Sequence, residues 1–85
     1  MEITISDVRR AISYGHDCGI EEMSDEELLA CDFMKDFNFG NIRVANIAMD
    51  LQRMYNIFLP VEFFQDMKDN TVRSFIEAAN KYLTD

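Results

Sequence analysis

The chain has 85 residues, of which 48% are apolar and 28% are charged, and its formal net charge is −8. This length predicts a single domain, residues 1–85, with one thin core and no room for a deep enclosed active site. The composition is that of a folded protein, and the negative charge disfavours binding to nucleic acid or to anionic membranes.

The sequence carries no signal for a membrane. No apolar run approaches the ~18 residues of a spanning helix, and residues 1–4 lack the basic stretch and the apolar run of a signal peptide. We therefore expect a cytoplasmic protein that does not insert into membranes, and we expect it to be a monomer. In that compartment Cys18 and Cys31 are reduced thiols.

The first half of the chain contains two predicted helices. Ile5, Val8 and Ile12 share one side of a helix over residues 3–14. Ser24 and Glu27 have the spacing of a capping box, in which each side chain accepts a hydrogen bond from the backbone of the other residue. A short helix is therefore expected to begin there and to fade over residues 31–37.

The second half contains the strongest helical pattern. Asn41 is a suitable cap for a helix over 42–55, which has a broad apolar face and an opposite polar stripe of Arg43, Asn46, Asp50 and Arg53. Pro60 suggests a short helix over 61–66, and Thr71 caps a last helix that reaches residue 83. The predicted fold class is all-α, a bundle of three main helices with one or two short ones.

Metal binding is a weak interpretation of this sequence. His16, Cys18 and Cys31 could supply three zinc ligands, but their spacing fits no standard zinc pattern. The acidic residues at 21–27 lack the alternating ligands and the central glycine of a calcium-binding loop. We therefore predict no bound metal, and we interpret the acidic residues as a solvated face.

Catalysis is also poorly supported. A nucleophilic site needs a serine or cysteine beside a histidine base, and the one histidine, His16, has no evident partner. We therefore predict that the chain is not an enzyme. Met49, Met54 and Met67 lie on or beside apolar faces, where core filling is the simpler interpretation, although a pliable interior that accepts lipid stays open.

A resemblance begins at Asp32. Residues 32–42 read Asp-Phe-Met-Lys-Asp-Phe-Asn-Phe-Gly-Asn-Ile, residues 57–60 read Ile-Phe-Leu-Pro, and residues 70–72 read Asn-Thr-Val. Their order and spacing resemble those of the acyl carrier protein family, across about 54 of the 85 residues. Residues 1–31 are similar to the family only as a first helix and a long loop. The resemblance implies an acyl-carrier-protein-like bundle.

The chain departs from that family at its attachment site. The family carries acyl groups on a phosphopantetheine arm, which is esterified to the serine of an Asp-Ser-Leu motif. Gly40, Asn41 and Ile42 stand at the matching positions, and the amide of Asn41 has no hydroxyl that could form the phosphodiester. We therefore expect no cofactor, with Asn41 keeping only a helix-capping role.

A second departure concerns charge. The family's second helix is acidic and docks on basic patches of enzymes, whereas the matching helix here carries Arg43 and Arg53. Complementary charge strongly influences partner choice, which suggests a carrier fold turned to another use. Residues 16–37 stay acidic and could receive a basic partner instead. The predicted partner-binding residues are Arg43, Val44, Asn46, Met49, Asp50 and Arg53.

These departures lead to three hypotheses about function. The first is an acyl-carrier-like domain without a covalent arm that binds a protein, such as an acyl-transfer or condensing enzyme of lipid or polyketide-type biosynthesis. The second is a functional acyl carrier, with an unrecognised attachment site or a noncovalently bound acyl chain. The third is an unrelated small helical interaction domain.

Overall fold

The computed structural model of the chain describes residues 2–13 and 22–83. Four α-helices and one 3₁₀ helix lie in this part of the chain, in the order α1 (Ile5–Ser13), α2 (Asp25–Ala30), α3 (Asn41–Tyr55), the 3₁₀ helix (Val61–Phe64) and α4 (Val72–Lys81). The described residues form no strand, only an isolated backbone bridge between Asp32 and Thr71. The predicted all-α class is therefore confirmed.

Helix α1 begins two residues later than predicted, because Thr4 caps it. The amide of Asp7 donates to Thr4 Oγ1 at 3.4 Å, and the amide of Thr4 donates to the Asp7 carboxylate at 2.8 Å. Ile3 precedes the helix, and Asn80 of α4 accepts from its amide at 2.7 Å and donates to its carbonyl at 3.1 Å. The N-terminal residues are therefore held against α4.

Helix α2 has the predicted capping box. The amide of Glu27 donates to Ser24 Oγ at 3.2 Å, and the amide of Ser24 donates to Glu27 Oε1 at 3.1 Å. Arg9 of α1 forms a salt bridge of 2.8 Å with Asp25 at the start of α2. This salt bridge links α1, which precedes residues 14–21, to α2, which follows them.

The short helix after Pro60 is shorter than predicted. It is a single 3₁₀ turn over Val61–Phe64 rather than a helix over 61–66. Thr71 caps α4 as predicted, and its hydroxyl oxygen accepts from the amide of Ser74 at 3.2 Å. α4 ends at Lys81, two residues before the predicted end.

Aromatic rings fill the centre of the molecule. Phe33, Phe63 and Phe75 are fully buried, and the ring of Phe75 on α4 meets Phe33 and Phe63 edge to face, with centroid separations of 5.7 and 5.4 Å. Such pairs add to the stabilisation gained by burial. Helix α3 lies chiefly against α1, whereas α4 lies against α2 and the 3₁₀ helix. Direct contact between α3 and α4 is slight at most among the described residues.

Candidate functional site

The start of α3 is the position where the sequence departs from the acyl carrier pattern. Gly40 is the N-cap: its backbone is extended, with φ −80° and ψ 178°, and its carbonyl accepts the first helical hydrogen bond, from Val44 at 3.2 Å. Asn41 is the first residue inside the helix. The prediction that Asn41 caps α3 is therefore wrong, because a capping side chain must belong to the residue before the helix.

An open groove of about 360 Å³ lies beside Asn41. It separates the first turn of α3 from the 3₁₀ helix and from the loops that precede α3 and α4. Its lining is mostly apolar, with two amide side chains, and consists of Phe33, Met34, Asn41, Val44, Ala45, Phe64, Met67 and Asn70. The volume is at the lower end of the range for small-molecule pockets.

Helix α3 has one side in solvent and the opposite side in the core. Val44, Ile47, Ala48 and Leu51 are buried, and the exposed side is centred on Ile42, Asn46, Met49 and Arg53. These four residues are spaced by four, three and four positions, so they follow one face of the helix. We call them the outer stripe of α3.

The structure separates the predicted partner-binding residues into two groups. Val44 is 8% exposed and belongs to the core, so its side chain offers little surface to a partner. Arg43, Asn46, Met49 and Arg53 are exposed, and Asp50 is half-buried. Val44 is buried because it lies opposite the outer stripe, on the side of the helix that faces the core.

Charged groups beside the outer stripe have partners within the chain. Arg53 Nη2 lies 2.7 Å from Asp50 Oδ1, and the guanidinium of Arg43 lies 5.5 Å from the centre of the Phe39 ring. This cation–π contact places Arg43 over the residue that leads into Gly40. Each charged side chain of α3 thus contacts another residue of the chain.

A hydrogen-bonded group links α1 to the end of α3. The hydroxyl of Tyr55 donates to Asp7, and Arg10 Nη1 donates to the Tyr55 oxygen at 3.2 Å. Desolvation alone would raise the pKa of Asp7, but the hydrogen bonds from Tyr55 and Thr4 outweigh it, so this pKa lies below its usual value. The same hydrogen bond to Asp7 raises the pKa of Tyr55.

The candidate metal ligands are only partly described. His16 and Cys18 lie outside the described residues, and Cys31 is a buried thiol that donates to the Glu27 carbonyl at 3.2 Å. Burial raises the pKa of the Cys31 thiol. Within residues 2–13 and 22–83, no three histidine, cysteine or acidic side chains group as metal ligands would.

Across residues 2–13 and 22–83, no helix has the length and apolar character needed to cross a membrane.

Sequence reasoning included Met49 but missed the other exposed apolar residues of this surface. Four large apolar side chains are exposed among the described residues: Met34 (51%), Ile42 (79%), Met49 (53%) and Phe58 (73%). Met34 precedes α3, Phe58 follows it, and the other two belong to the outer stripe. Helical spacing could have revealed Ile42, because it shares a face with the predicted polar residues Asn46 and Arg53.

Comparison with protein-family models, with curated proteins and with solved structures finds no match for this chain.

Proposed function

We propose that this chain is an acyl-carrier-like domain without a covalent prosthetic arm, and that it acts by binding a protein partner through the outer stripe of α3. The partner is an acyl-transfer or condensing enzyme of lipid or polyketide-type biosynthesis. The domain itself catalyses no reaction. The observation that carries the proposal is the exposure of two large apolar side chains, Ile42 (79%) and Met49 (53%), on one face of α3.

Ile42 and Met49 share one exposed helix face. Single exposed apolar residues are ordinary on soluble proteins, but a group of them marks an interaction surface more often. Ile42 and Met49 are two helical turns apart on one stripe, so a single partner surface can cover both. Arg53 and Asn46 on the same stripe supply hydrogen-bond donors, as the polar residues of an interface do.

The absence of a covalent arm is argued from Asn41. The first residue of α3 occupies the position at which the resemblance places the attachment serine, and its side chain is exposed beside the groove. A transferase could therefore reach this position, but the amide offers no hydroxyl oxygen to attack the donor. The proposal thus rests on the chemistry of one side chain and not on its accessibility.

Photo-crosslinking tests the interaction surface. A photoreactive amino acid is placed at Met49 in one variant and at Glu77, an exposed residue of α4, in a matched control. In cells of the native source, we expect Met49 to form one discrete crosslinked species whose second component is an acyl-transfer or condensing enzyme. Equal crosslinking from both positions would refute the use of α3. A single partner of unrelated function would instead support the third hypothesis, an unrelated interaction domain.

Intact mass tests the missing arm. The chain is co-expressed with a phosphopantetheinyl transferase, beside an ordinary acyl carrier protein as a positive control. We expect the control to gain the mass of phosphopantetheine and this chain to gain none. An adduct on any residue would refute the proposal and favour a functional acyl carrier.

The groove beside Asn41 favours a second candidate function, the noncovalent binding of an acyl chain. Its lining is apolar apart from Asn41 and Asn70, so an aliphatic chain would bury its surface there. Native mass spectrometry with a medium-chain acyl amide tests this function. The Ala45→Leu variant narrows the groove, and we expect it to lose the complex, whereas Ala30→Leu, an exposed change on α2, should keep it. Binding that survives Ala45→Leu would exclude the groove.

A further inference from the structure

The charge of α3 differs from that of the segment before it. Residues 16–37 contain eight acidic residues and a single lysine, whereas α3 contains Arg43, Arg53 and Asp50. The chain therefore carries most of its negative charge outside α3, which is slightly positive. A partner that approaches α3 meets a local charge opposite to that of the whole molecule.

The carboxylates near the outer stripe are already engaged. Asp50 is bonded to Arg53, and its side chain is 32% exposed while that of Arg53 is 77% exposed. At the end of the helix, Asp7 accepts from Tyr55, whereas Arg10 is exposed beside the same hydroxyl. Arg53 is thus the more exposed member of its ion pair with Asp50, and Arg10 is exposed beside the Tyr55 hydroxyl.

The two exposed apolar side chains and Arg53 follow one line of α3, and Arg43 lies beside it. The outer stripe from Ile42 to Arg53 extends about 16 Å at 1.5 Å per residue. Arg43 lies beside Ile42 at one end, and Arg53 lies one turn beyond Met49 at the other. A complementary surface therefore has an apolar centre and negative groups at both ends, and a helix of about three turns has this length.

We infer that α3 binds an amphipathic helix of its partner, whose apolar side covers Ile42 and Met49 and whose carboxylates meet Arg43 and Arg53. The inference rests on the proposed function, because it uses the same interaction surface. It assigns the partner a charge opposite to the one that the resemblance to acyl carriers implies. Arg–carboxylate contacts of this kind select among partners and speed their encounter.

A second copy of the chain is a weaker occupant of this surface. Each copy carries a net charge of −8, and two such molecules repel one another at the distances over which salt does not screen them. A partner with few charges outside its acidic contact helix meets less of this repulsion. Self-association is an outcome that the experiment detects, as a change in the spectrum with protein concentration alone, and it would overturn the inference.

Two synthetic peptides test the inference by nuclear magnetic resonance. Both form about three helical turns with the same leucine stripe, and they differ only in the flanking residues, which are glutamates in one and lysines in the other. Each is titrated into the isotope-labelled full-length chain, and the amide shifts of α3 and of residues 22–36 are followed. We expect the acidic peptide to shift α3 amides, and the basic peptide to shift the acidic segment.

Charge-reversal variants complete the test. Arg43→Glu combined with Arg53→Glu should weaken binding of the acidic peptide about tenfold, since two exposed ion pairs become repulsive. Arg73→Glu on α4 is the matched control and should leave binding unchanged. An unchanged affinity in the double variant overturns the inference. A basic peptide that shifts α3 overturns it too but keeps the proposed interaction surface, whereas no shift of α3 by either peptide counts against both.

Discussion

The Gly40→Asp substitution should strengthen the start of α3. A Cβ atom built at Gly40 has no neighbour within 4 Å, and its φ of −80° suits any residue. The new carboxylate can accept from the amide of Ile42 or Arg43, since the present N-cap supplies no side-chain hydrogen bond. Its negative charge also lies at the positive end of the helix dipole.

The size of this stabilisation is predicted relative to three controls, which are the wild type, Gly40→Ala and Gly40→Asn. An acceptor side chain at an N-cap stabilises a helix by about 1 kcal/mol relative to alanine and by a few tenths relative to glycine. The free energy of unfolding of the Gly40→Asp variant should therefore exceed that of the Gly40→Ala variant by about 1 kcal/mol. For a domain of this size, this difference corresponds to about 4–8 °C in melting temperature. The Gly40→Asn variant has a capping side chain without a charge, so its free energy of unfolding should be lower than that of the aspartate variant by about 0.3–1 kcal/mol at low salt.

Urea unfolding and calorimetry of the four proteins check this prediction, since both yield the free energy of unfolding. The aspartate–asparagine difference should shrink as salt is raised, because exposed charges are screened. If the aspartate variant is no more stable than the alanine variant, then Gly40 is not the N-cap. The helix would then begin elsewhere, and the placement of Asn41 inside it would be wrong.

Two other contacts yield stability predictions. Asn80→Leu leaves the amide and carbonyl of Ile3 unpaired and should lower the free energy of unfolding by about 1–3 kcal/mol. Asn80→Asp keeps the acceptor for the Ile3 amide, so it should lower this free energy by less. Equal stability of the wild type and the leucine variant in urea would contradict this role of Asn80. Hydrogen bonds from Ser74 and Thr71 lower the pKa of Asp69 from 3.8 to about 2. A carboxyl whose pKa is lower in the folded than in the unfolded protein stabilises the fold when the pH is above the unfolded-state pKa. This contribution is lost as pH falls from about 4 to about 2. Asp69→Asn should therefore flatten the pH dependence of melting in that window, whereas Glu77→Gln should leave this part of the profile in place.

The helices were predictable because their causes are local. Apolar spacing located all three main helices, and the Ser24–Glu27 pair located the short one. The predicted ends of the helices were less accurate. Thr4 and Asp7 have the same spacing as that pair and would have placed the start of α1 correctly.

The start of α3 shows a limit of reasoning from residue preference. Asparagine is a common N-cap and glycine a weaker one, so preference alone selects Asn41. The backbone instead turns into the helix one residue earlier. Phe39, which precedes the turn, is buried at 5% exposure, and burying it fixes where the helix can begin. Tertiary packing therefore overrides the local preference at this position.

The groove could not be predicted from the sequence. Its walls come from Phe33, Val44, Phe64 and Asn70, which lie in four separate segments. Spacing along the chain describes one helix or one turn at a time and does not give the distance between them. The bond from the Phe33 amide to the Asn70 carbonyl, at 2.8 Å, brings two of these segments together and is visible only in the fold.

Restoring the attachment motif separates the chemistry of the site from docking. Gly40→Asp combined with Asn41→Ser supplies the missing hydroxyl at two exposed positions, and the open space around Gly40 means that the fold should persist. A phosphopantetheinyl transferase must still approach α3, where Arg43 and Arg53 would face a surface suited to carboxylates. Like charges across an interface slow encounter, so we expect slow modification of the double variant.

Further substitution of Arg43, Asn46 and Arg53 by acidic residues should raise the initial rate of modification, and more so at low salt, where charges are least screened. The rates of both variants at two salt concentrations, measured beside an ordinary acyl carrier protein, check this. Circular dichroism of each variant distinguishes slow modification from misfolding. If the double variant alone reacts as fast as the ordinary carrier, then the charge of α3 does not set this chain apart. Its outer stripe would then lose the main reason for being assigned a different partner.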